Sequence, residues 1–125
     1  MLIEDQITNL QNGNGLARAR AASALGQAGD VRAAAALQNA LTDKNPTVRA
    51  NAAFALAEIG FSGAAAPLIG LLTDDDQWVR KSAAKALGML RVQEAETALR
   101  QALNDVSEPV RRNAERSLAQ IAGKG

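Results

Sequence analysis

Arginines and aspartates are the side chains of this sequence that could bind a ligand through charge, and both recur at a regular spacing. One arginine stands in the same position of four successive segments: Arg18, Arg49, Arg80 and Arg111. An aspartate lies six residues before each of the last three: Asp43, Asp74 and Asp105. A guanidinium can bind a phosphate or a carboxylate through two parallel hydrogen bonds. The arginines could therefore bind an anionic ligand, or the aspartates could neutralise them.

The side chains that usually perform catalysis are missing. The sequence has no histidine, cysteine or tyrosine, which removes the usual general base near neutral pH, the commonest metal ligands and thiol nucleophiles. The acidic run at residues 74–76 could hold a hard cation, but it lacks the spaced loop and glycine of a calcium site. The glycines at 13 and 15 are not followed by a P-loop lysine. We therefore expect no intrinsic catalysis, no metal and no cofactor.

Composition favours one compact all-α unit. Of 125 residues, 47% are hydrophobic, mostly alanine and leucine, and only 2% are aromatic, so helices must pack closely around a thin core. A net charge of +1 gives no electrostatic reason to expect a nucleic acid or an acidic membrane as partner. The N-terminus lacks the basic region of a signal peptide, and no apolar run is long enough for a membrane span. The absence of cysteine fits a reducing compartment, and we expect a cytoplasmic protein.

The arginine position belongs to a repeat of 31 residues. Apolar columns at +3, +7 and +10 from each arginine predict a helix with one buried face, which we call helix A. These columns are Ala21, Ala52, Ala83 and Ala114; Leu25, Leu56, Leu87 and Leu118; and Ala28, Ile59, Leu90 and Ile121. Each helix A begins after a residue able to cap it: Asn14, Asn45, Asp76 and Ser107. Gly29 and Gly60 are predicted to end the first two copies.

A second helix, helix B, follows in three of the copies. Its apolar stripe has a spacing of four: Ala33, Ala64 and Ala95; Leu37, Leu68 and Leu99; Leu41, Leu72 and Leu103. Residues 2–11 resemble a lone helix B. The pattern predicts a single domain over residues 1–125, with an N-terminal capping helix at 1–13, full repeats at 14–44, 45–75 and 76–106, and a C-terminal capping half-repeat at 107–125.

The last copy differs from the others at two alanine columns. Glu115 replaces the alanines at 22, 53 and 84, and Ser117 replaces those at 24, 55 and 86. The ends of a solenoid need a polar outer face. We therefore expect both residues to face outward where a further repeat would stack, as in a complete protein or domain.

The pattern NPTVRANAAFALAEIG…AAAPLIGLLTD resembles the short HEAT-like repeats of the phycobilisome (PBS) lyase HEAT-like repeat family, over nearly all of residues 14–122. The resemblance implies a right-handed α-solenoid, an armadillo-like superhelix of about four A/B helix pairs. It also implies that the aspartate ending helix B and the arginine of the next helix A form a ladder between repeats. Since Asn12 occupies the corresponding aspartate position before Arg18, we expect Arg18 to be the arginine without a partner.

The resemblance also points to two enzyme classes. Bilin lyases of this family are longer, paired subunits that attach or remove a bilin, and no residue here can be assigned to that reaction. A role as a relative of a bilin lyase or a chromophore-handling factor is therefore our alternative. Deoxyhypusine hydroxylases hold iron with His-Glu pairs, and this sequence has no histidine for that site.

A protein-interaction scaffold is our preferred function, because stacked helices present an extended binding surface. In this family helix B lines the concave face. Its outward columns are the candidate binding residues: Ile7, Gln38, Ile69 and Arg100; Thr8, Asn39, Gly70 and Gln101; Gln11, Thr42, Thr73 and Asn104. We expect Ile7 and Ile69 to face solvent. Trp78, at a helix start, is the candidate for a contact on the ridge.

Charge is distributed unevenly along the chain. Residues 1–76 carry five basic and eight acidic side chains, and residues 77–125 carry nine basic and five acidic ones, giving net charges of −3 and +4. Opposite ends could attract, but salt screens such attraction, so we expect a monomer or weak dimer. Nucleic-acid binding through the C-terminal arginines is a further, less favoured class; these are Arg100, Arg111, Arg112 and Arg116.

Overall fold

The fold of residues 2–123 is described from a computed structural model. That part of the chain contains eight α-helices and no strand. Their bounds are α1 Ile3–Asn12, α2 Gly15–Ala28, α3 Ala34–Ala40, α4 Pro46–Ile59, α5 Ala65–Gly70, α6 Gln77–Met89, α7 Glu96–Ala102 and α8 Glu108–Ile121. The all-α prediction is confirmed.

The helices alternate between two layers. Helices α2, α4, α6 and α8 are the predicted A helices, and each contacts the next along the solenoid. Helices α1, α3, α5 and α7 are the B helices. Each of the last three follows a single 3-10 turn, at Val31–Ala33, Ser62–Ala64 or Gln93–Ala95, and another 3-10 turn, Leu71–Thr73, extends α5. Pro67 lies at the third position of α5, where the backbone nitrogen does not need to donate a hydrogen bond within the helix.

The A helices approach one another closely because small residues line their contacts. A Cβ atom added to Gly26 of α2 would lie 2.7 Å from Ala55 Cα of α4. One added to Gly88 of α6 would lie 2.6 Å from Ser117 Cβ of α8. The predicted thin core follows, built mainly of alanine and of fully buried leucines such as Leu56 and Leu68.

The helix ends follow the predicted capping columns with one exception. The side chains of Asn14, Asn45 and Asp76 accept hydrogen bonds from backbone N–H groups in the first turn of the following helix. Ser107 stands at the N-cap of α8 but makes no such bond. Its hydroxyl instead donates to Gln77 Oε1 (2.9 Å), so the prediction of a capping role for Ser107 is wrong.

Left-handed residues end the A helices, as predicted for the first two copies. Gly29 and Gly60 have φ values of 67° and 80°. In the third copy the corresponding residue is Arg91, with φ of 52°. Its side chain crosses to the last repeat, where Nη1 donates to the carbonyl of Gln120 at 2.8 Å. This bond ties the third and fourth copies together and accompanies an unusual conformation for an arginine.

The C-terminal helix presents only one of the two expected polar residues to solvent. Glu115 is exposed, whereas Ser117 is 1% exposed and its hydroxyl donates to the Ala84 carbonyl at 2.6 Å. The Ser117 column faces the preceding A helix, as the contact with Gly88 also shows. The prediction that Ser117 lies on the outer face is therefore wrong.

Candidate functional site

Three of the repeated arginines form two-pronged ion pairs with aspartates. Nε and Nη2 of Arg18 donate to Asp43 at 2.8 and 3.0 Å, and those of Arg49 donate to Asp74 at 3.0 Å each. The bonds from Arg80 to Asp105 measure 2.8 and 3.1 Å. These side chains are only 11–17% exposed.

The partners in these pairs are 25 residues apart, not six as expected. Each arginine binds the aspartate at the end of its own repeat, and the aspartate six residues before it contributes only its backbone carbonyl. Nη1 of Arg49, Arg80 and Arg111 donates to the carbonyls of Asp43, Asp74 and Asp105 at 2.8, 2.9 and 2.7 Å. Arg49 and Arg80 thus each contact two successive repeat junctions, and we call this row of arginines and aspartates the ladder.

The first and the last arginine of the ladder make contacts that differ from those predicted. Arg18 is paired with Asp43 and also donates to the Gly13 carbonyl at 2.9 Å, so the expectation that it has no partner is wrong. Within residues 2–123, Arg111 is the ladder arginine that has the carbonyl contact but no carboxylate.

Hydrogen bonding favours the ionised carboxylates of Asp43 and Asp105. The bonds from Arg18 hold the pKa of Asp43 below its usual value, against the opposing effect of burial. For Asp105 burial is the largest single influence and would raise the pKa. The hydrogen bonds from Arg80 and the Ser107 amide, together with the positive charges of Arg80 and Arg111, outweigh it, and the pKa is lowered. Asp105 in turn raises the pKa of Arg80. No free pair of guanidinium N–H donors is therefore left on Arg18, Arg49 or Arg80 to bind an anionic ligand.

The acidic run at residues 74–76 is accounted for by local structure. Asp74 pairs with Arg49, and Asp76 caps α6. In the described part of the chain no group of three or more acidic, histidine or cysteine side chains is placed to hold a metal ion.

The candidate binding side chains on the B helices fall into four groups. Ile7 and Ile69 are half-buried and pack against the core, so the expectation that they face solvent freely is wrong. The threonine hydroxyls bond back to helix carbonyls, from Thr8 to Glu4, Thr42 to Asn39 and Thr73 to Gly70. The amide side chains of Gln11, Asn39, Gln101 and Asn104 are exposed, whereas Gln38 is partly buried. Arg100 is exposed and paired with Glu96 at 2.9 Å.

Two grooves lie between neighbouring B helices. The larger, of ≈ 610 Å³, lies between α7 and the segment formed by α5 and its 3-10 turn; it brings Ile69, Thr73, Gln101 and Asn104 together. The smaller, of ≈ 420 Å³, lies between α1 and α3 and includes Gln11 and Asn39. Ladder residues form part of both, with Arg18 and Asp43 in the smaller groove and Arg80 and Asp105 in the larger.

The sequence analysis missed the small residues that leave these grooves open. Ala36 and Ala40 line the smaller groove, and Ala98 and Ala102 line the larger. The matching positions between the grooves hold Pro67 and Leu71. The sequence shows that side chains in these two columns differ in size between repeats. It does not show that the alanines border open space.

The ridge residue Trp78 lies outside both grooves. Its side chain is 55% exposed, and Lys81 Nζ lies 5.3 Å from the centre of its ring. A smaller depression of ≈ 260 Å³ beside it is also lined by Pro46 and Asn51. Lys85 Nζ lies 5.0 Å from the Phe54 ring in a similar arrangement.

No helix within residues 2–123 is both long enough and apolar enough to cross a membrane.

Solved structures with the same fold include both enzymes and non-natural repeat proteins. The complex of CpcE and CpcF of phycocyanin lyase from Nostoc sp. PCC7120 contains a chain that is 24% identical, with a TM-score of 0.77 over 98% of this chain and 66% of that one. Human deoxyhypusine hydroxylase is 25% identical, with a TM-score of 0.79 over 98% and 44%. A designed armadillo repeat protein is 22% identical, with a TM-score of 0.77 over 95% and 64%.

The chain therefore spans less than two thirds of each of these solved chains, and the likeness to the lyase structure is one of fold. No curated protein matches the sequence. A family model of HEAT repeats matches residues 4–69 and 37–119, which together cover most of the chain. The HEAT-like resemblance is thereby confirmed, and the chain belongs to the HEAT-repeat family.

Proposed function

We propose that the chain is a non-catalytic scaffold that binds a protein or peptide on the face formed by α1, α3, α5 and α7, the helix-B face. The observation that carries this proposal is the pair of grooves on that face, each with an apolar floor and exposed amide side chains. Apolar lining with a few polar groups is typical of binding sites. On the helix-A layer, in contrast, the depression beside Trp78 is smaller, at ≈ 260 Å³.

The charge pattern of the helix-B face supports a partner that is largely uncharged where it touches the grooves. The ladder aspartates are neutralised by arginines, and Arg100 is paired with Glu96. The pairing of Arg100, and of Arg112 with Glu108 at 2.6 Å, also weakens the nucleic-acid hypothesis. We place the protein in the cytoplasm, as a monomer or weak dimer when unbound, on the sequence arguments given above.

A pair of matched substitutions tests the face. Gln101 and Gln27 are both exposed, the first on α7 and the second near the end of α2. Tagged chains carrying Gln101→Arg or Gln27→Arg would be expressed in the cell of origin, and the co-purified proteins quantified against the unmodified chain. We expect Gln101→Arg to remove a partner that Gln27→Arg retains. Equal retention by both variants would contradict the proposal.

A second candidate is a role in handling a bilin chromophore. The observation in its favour is the shared fold with the CpcE–CpcF complex of a phycocyanin lyase. The larger groove, at ≈ 610 Å³, falls within the range of small-molecule sites. The visible spectrum of a free bilin, titrated with the purified chain, distinguishes the candidates: a stoichiometric spectral shift would favour chromophore handling, and an unchanged spectrum is expected for the scaffold.

A further inference from the structure

The helix-B face has three equivalent inter-helix positions, and the middle one is built differently. Alanines line the two outer positions: Ala36 and Ala40 between α1 and α3, and Ala98 and Ala102 between α5 and α7. The middle position, between α3 and α5, has Pro67 and half-buried Leu71 in the same columns. Larger side chains therefore stand between two open grooves.

The two grooves offer the same chemistry. Each has a leucine from the same column, Leu10 or Leu72, and two alanines as its apolar lining. An exposed amide from a second column, Asn39 or Gln101, borders each groove. A side-chain amide both donates and accepts hydrogen bonds, which suits the N–H and C=O groups of an extended chain. The carboxylates of Asp43 and Asp105 are already taken by arginines.

We propose that one extended peptide segment binds across both grooves, placing one apolar side chain in each and passing over Leu71 between them. The segment is uncharged between its two apolar anchors. This inference rests on the proposed function of the helix-B face and specifies the form of its partner.

Helix geometry sets the spacing of the anchors. Packed helices lie about 8–10 Å apart, so grooves separated by two helix steps lie roughly 16–20 Å apart. An extended chain advances about 3.3 Å per residue, which corresponds to about five or six residues. Because side chains of an extended chain alternate between two sides, both anchors face the grooves only at an even separation, and we infer a spacing of six.

The two grooves differ at one repeat column, and this difference gives the peptide a direction. Lys44 borders the smaller groove, is exposed and makes no ion pair within residues 2–123. The same column holds Val106 beside the larger groove, where it is 92% exposed. An acidic residue beside the anchor in the smaller groove would meet Lys44, and an apolar residue beside the anchor in the larger groove would cover Val106.

Synthetic peptides test the spacing directly. The probes are fluorescein-labelled peptides of threonine, serine and glutamine with two leucines two, four, six or eight positions apart and an aspartate beyond one leucine. Fluorescence anisotropy with the whole chain should show tightest binding at a separation of six. We expect affinity at least tenfold weaker at two and eight. Affinity that is independent of the separation, or equal for a peptide with one leucine, would overturn the proposal, as would the absence of binding by all peptides.

Variants taken from the repeat itself test the grooves. Ala40→Leu and Ala102→Leu introduce the residue that the middle position already carries, and each should weaken the best peptide at least tenfold. The control Ala28→Leu introduces the residue found at the same column in the third copy, Leu90, and should leave the affinity unchanged. Circular dichroism of each variant confirms that the fold is kept. Unchanged affinity in both groove variants would contradict the two-anchor arrangement.

The proposed function of the helix-B face and the peptide-binding proposal can fail separately. If Gln101→Arg removes a cellular partner but peptide affinity does not depend on anchor spacing, the helix-B face binds its partner in another way. If Gln101→Arg retains every partner, the proposed function itself fails.

Discussion

The helix-A and helix-B layers share one repeat but are built for different purposes. The A helices have 14, 14, 13 and 14 residues and approach so closely that Gly26 has no room for a methyl group. The B helices have 10, 7, 6 and 7 residues, and grooves lie between α1 and α3 and between α5 and α7. This difference teaches that the A helices pack tightly against one another, while the B layer has surface left for a partner.

Truncating a leucine in each layer should give the largest contrast. Leu56 of α4 is fully buried, and Leu56→Ala should cost about 2–5 kcal/mol of unfolding free energy through lost contacts and a cavity. Leu71 is only half-buried beside the grooves, so Leu71→Ala should cost clearly less. Urea denaturation of both variants measures the difference. Equal losses would show that Leu71 packs as tightly as Leu56 and does not border open space.

Adding a methyl group to a glycine in each layer should produce effects of opposite sign. Gly26→Ala forces a Cβ to within 2.7 Å of the Ala55 backbone and should destabilise by about 1–3 kcal/mol. Gly70→Ala, at the end of α5, meets no atom within 4 Å and should stabilise by up to about 1 kcal/mol. Thermal unfolding of the two variants measures both effects. A Gly26→Ala variant as stable as the unmodified chain would show that α2 and α4 can move apart without loss of stability.

Acid should weaken the ladder that joins the layers. The pKa values of Asp43 and Asp105 are lower in the folded chain than in the unfolded one. Their stabilising contribution is therefore present above the unfolded value of about 3.9 and is lost as pH falls through the lower folded values. We expect the free energy of unfolding to change little from pH 7 to 5 and to fall below about pH 4.

A matched pair of substitutions isolates the ladder from other acids. Asp105→Asn should cost about 1–3 kcal/mol at pH 7 because it removes a charge that accepts hydrogen bonds from Arg80. The loss should shrink at pH 3, because Asp105 of the unfolded chain is then protonated and part of the stabilisation that its carboxylate gives the folded chain is already lost. Asp75→Asn, at an exposed position outside the ladder, is the control. Urea titrations at both pH values that gave the same loss for Asp105→Asn would contradict the electrostatic explanation.

The repeat made most of the fold predictable. Residues 31 positions apart share an environment, so the columns of Leu25 and Leu37 indicated the A and B helices and their buried faces. The capping columns likewise predicted where the A helices begin and, for three of them, the side chain that caps the first turn. The missing cap at Ser107 could not be predicted from the column, because the Ser107 hydroxyl donates a hydrogen bond to Gln77 and accepts none from the helix N-terminus.

Contacts between repeats were harder to predict, because a periodic pattern fixes which columns exist but not which columns meet. Separations of six and of 25 residues both join an arginine column to an aspartate column, and only the three-dimensional structure distinguishes them. The same ambiguity placed Ser117 on the wrong face of α8. For the binding site, the sequence indicated the exposed amides Asn39 and Gln101, but it could not show that the neighbouring alanines leave grooves open.

The most direct test of the division between layers is site-specific photo-crosslinking in the cell of origin. A photoreactive amino acid would replace either Asn39 on the helix-B face or Gln27 on the helix-A layer, both exposed. The account predicts a crosslinked protein partner from position 39 and none from position 27. Crosslinking from position 27 alone would contradict it and assign partner binding to the helix-A layer.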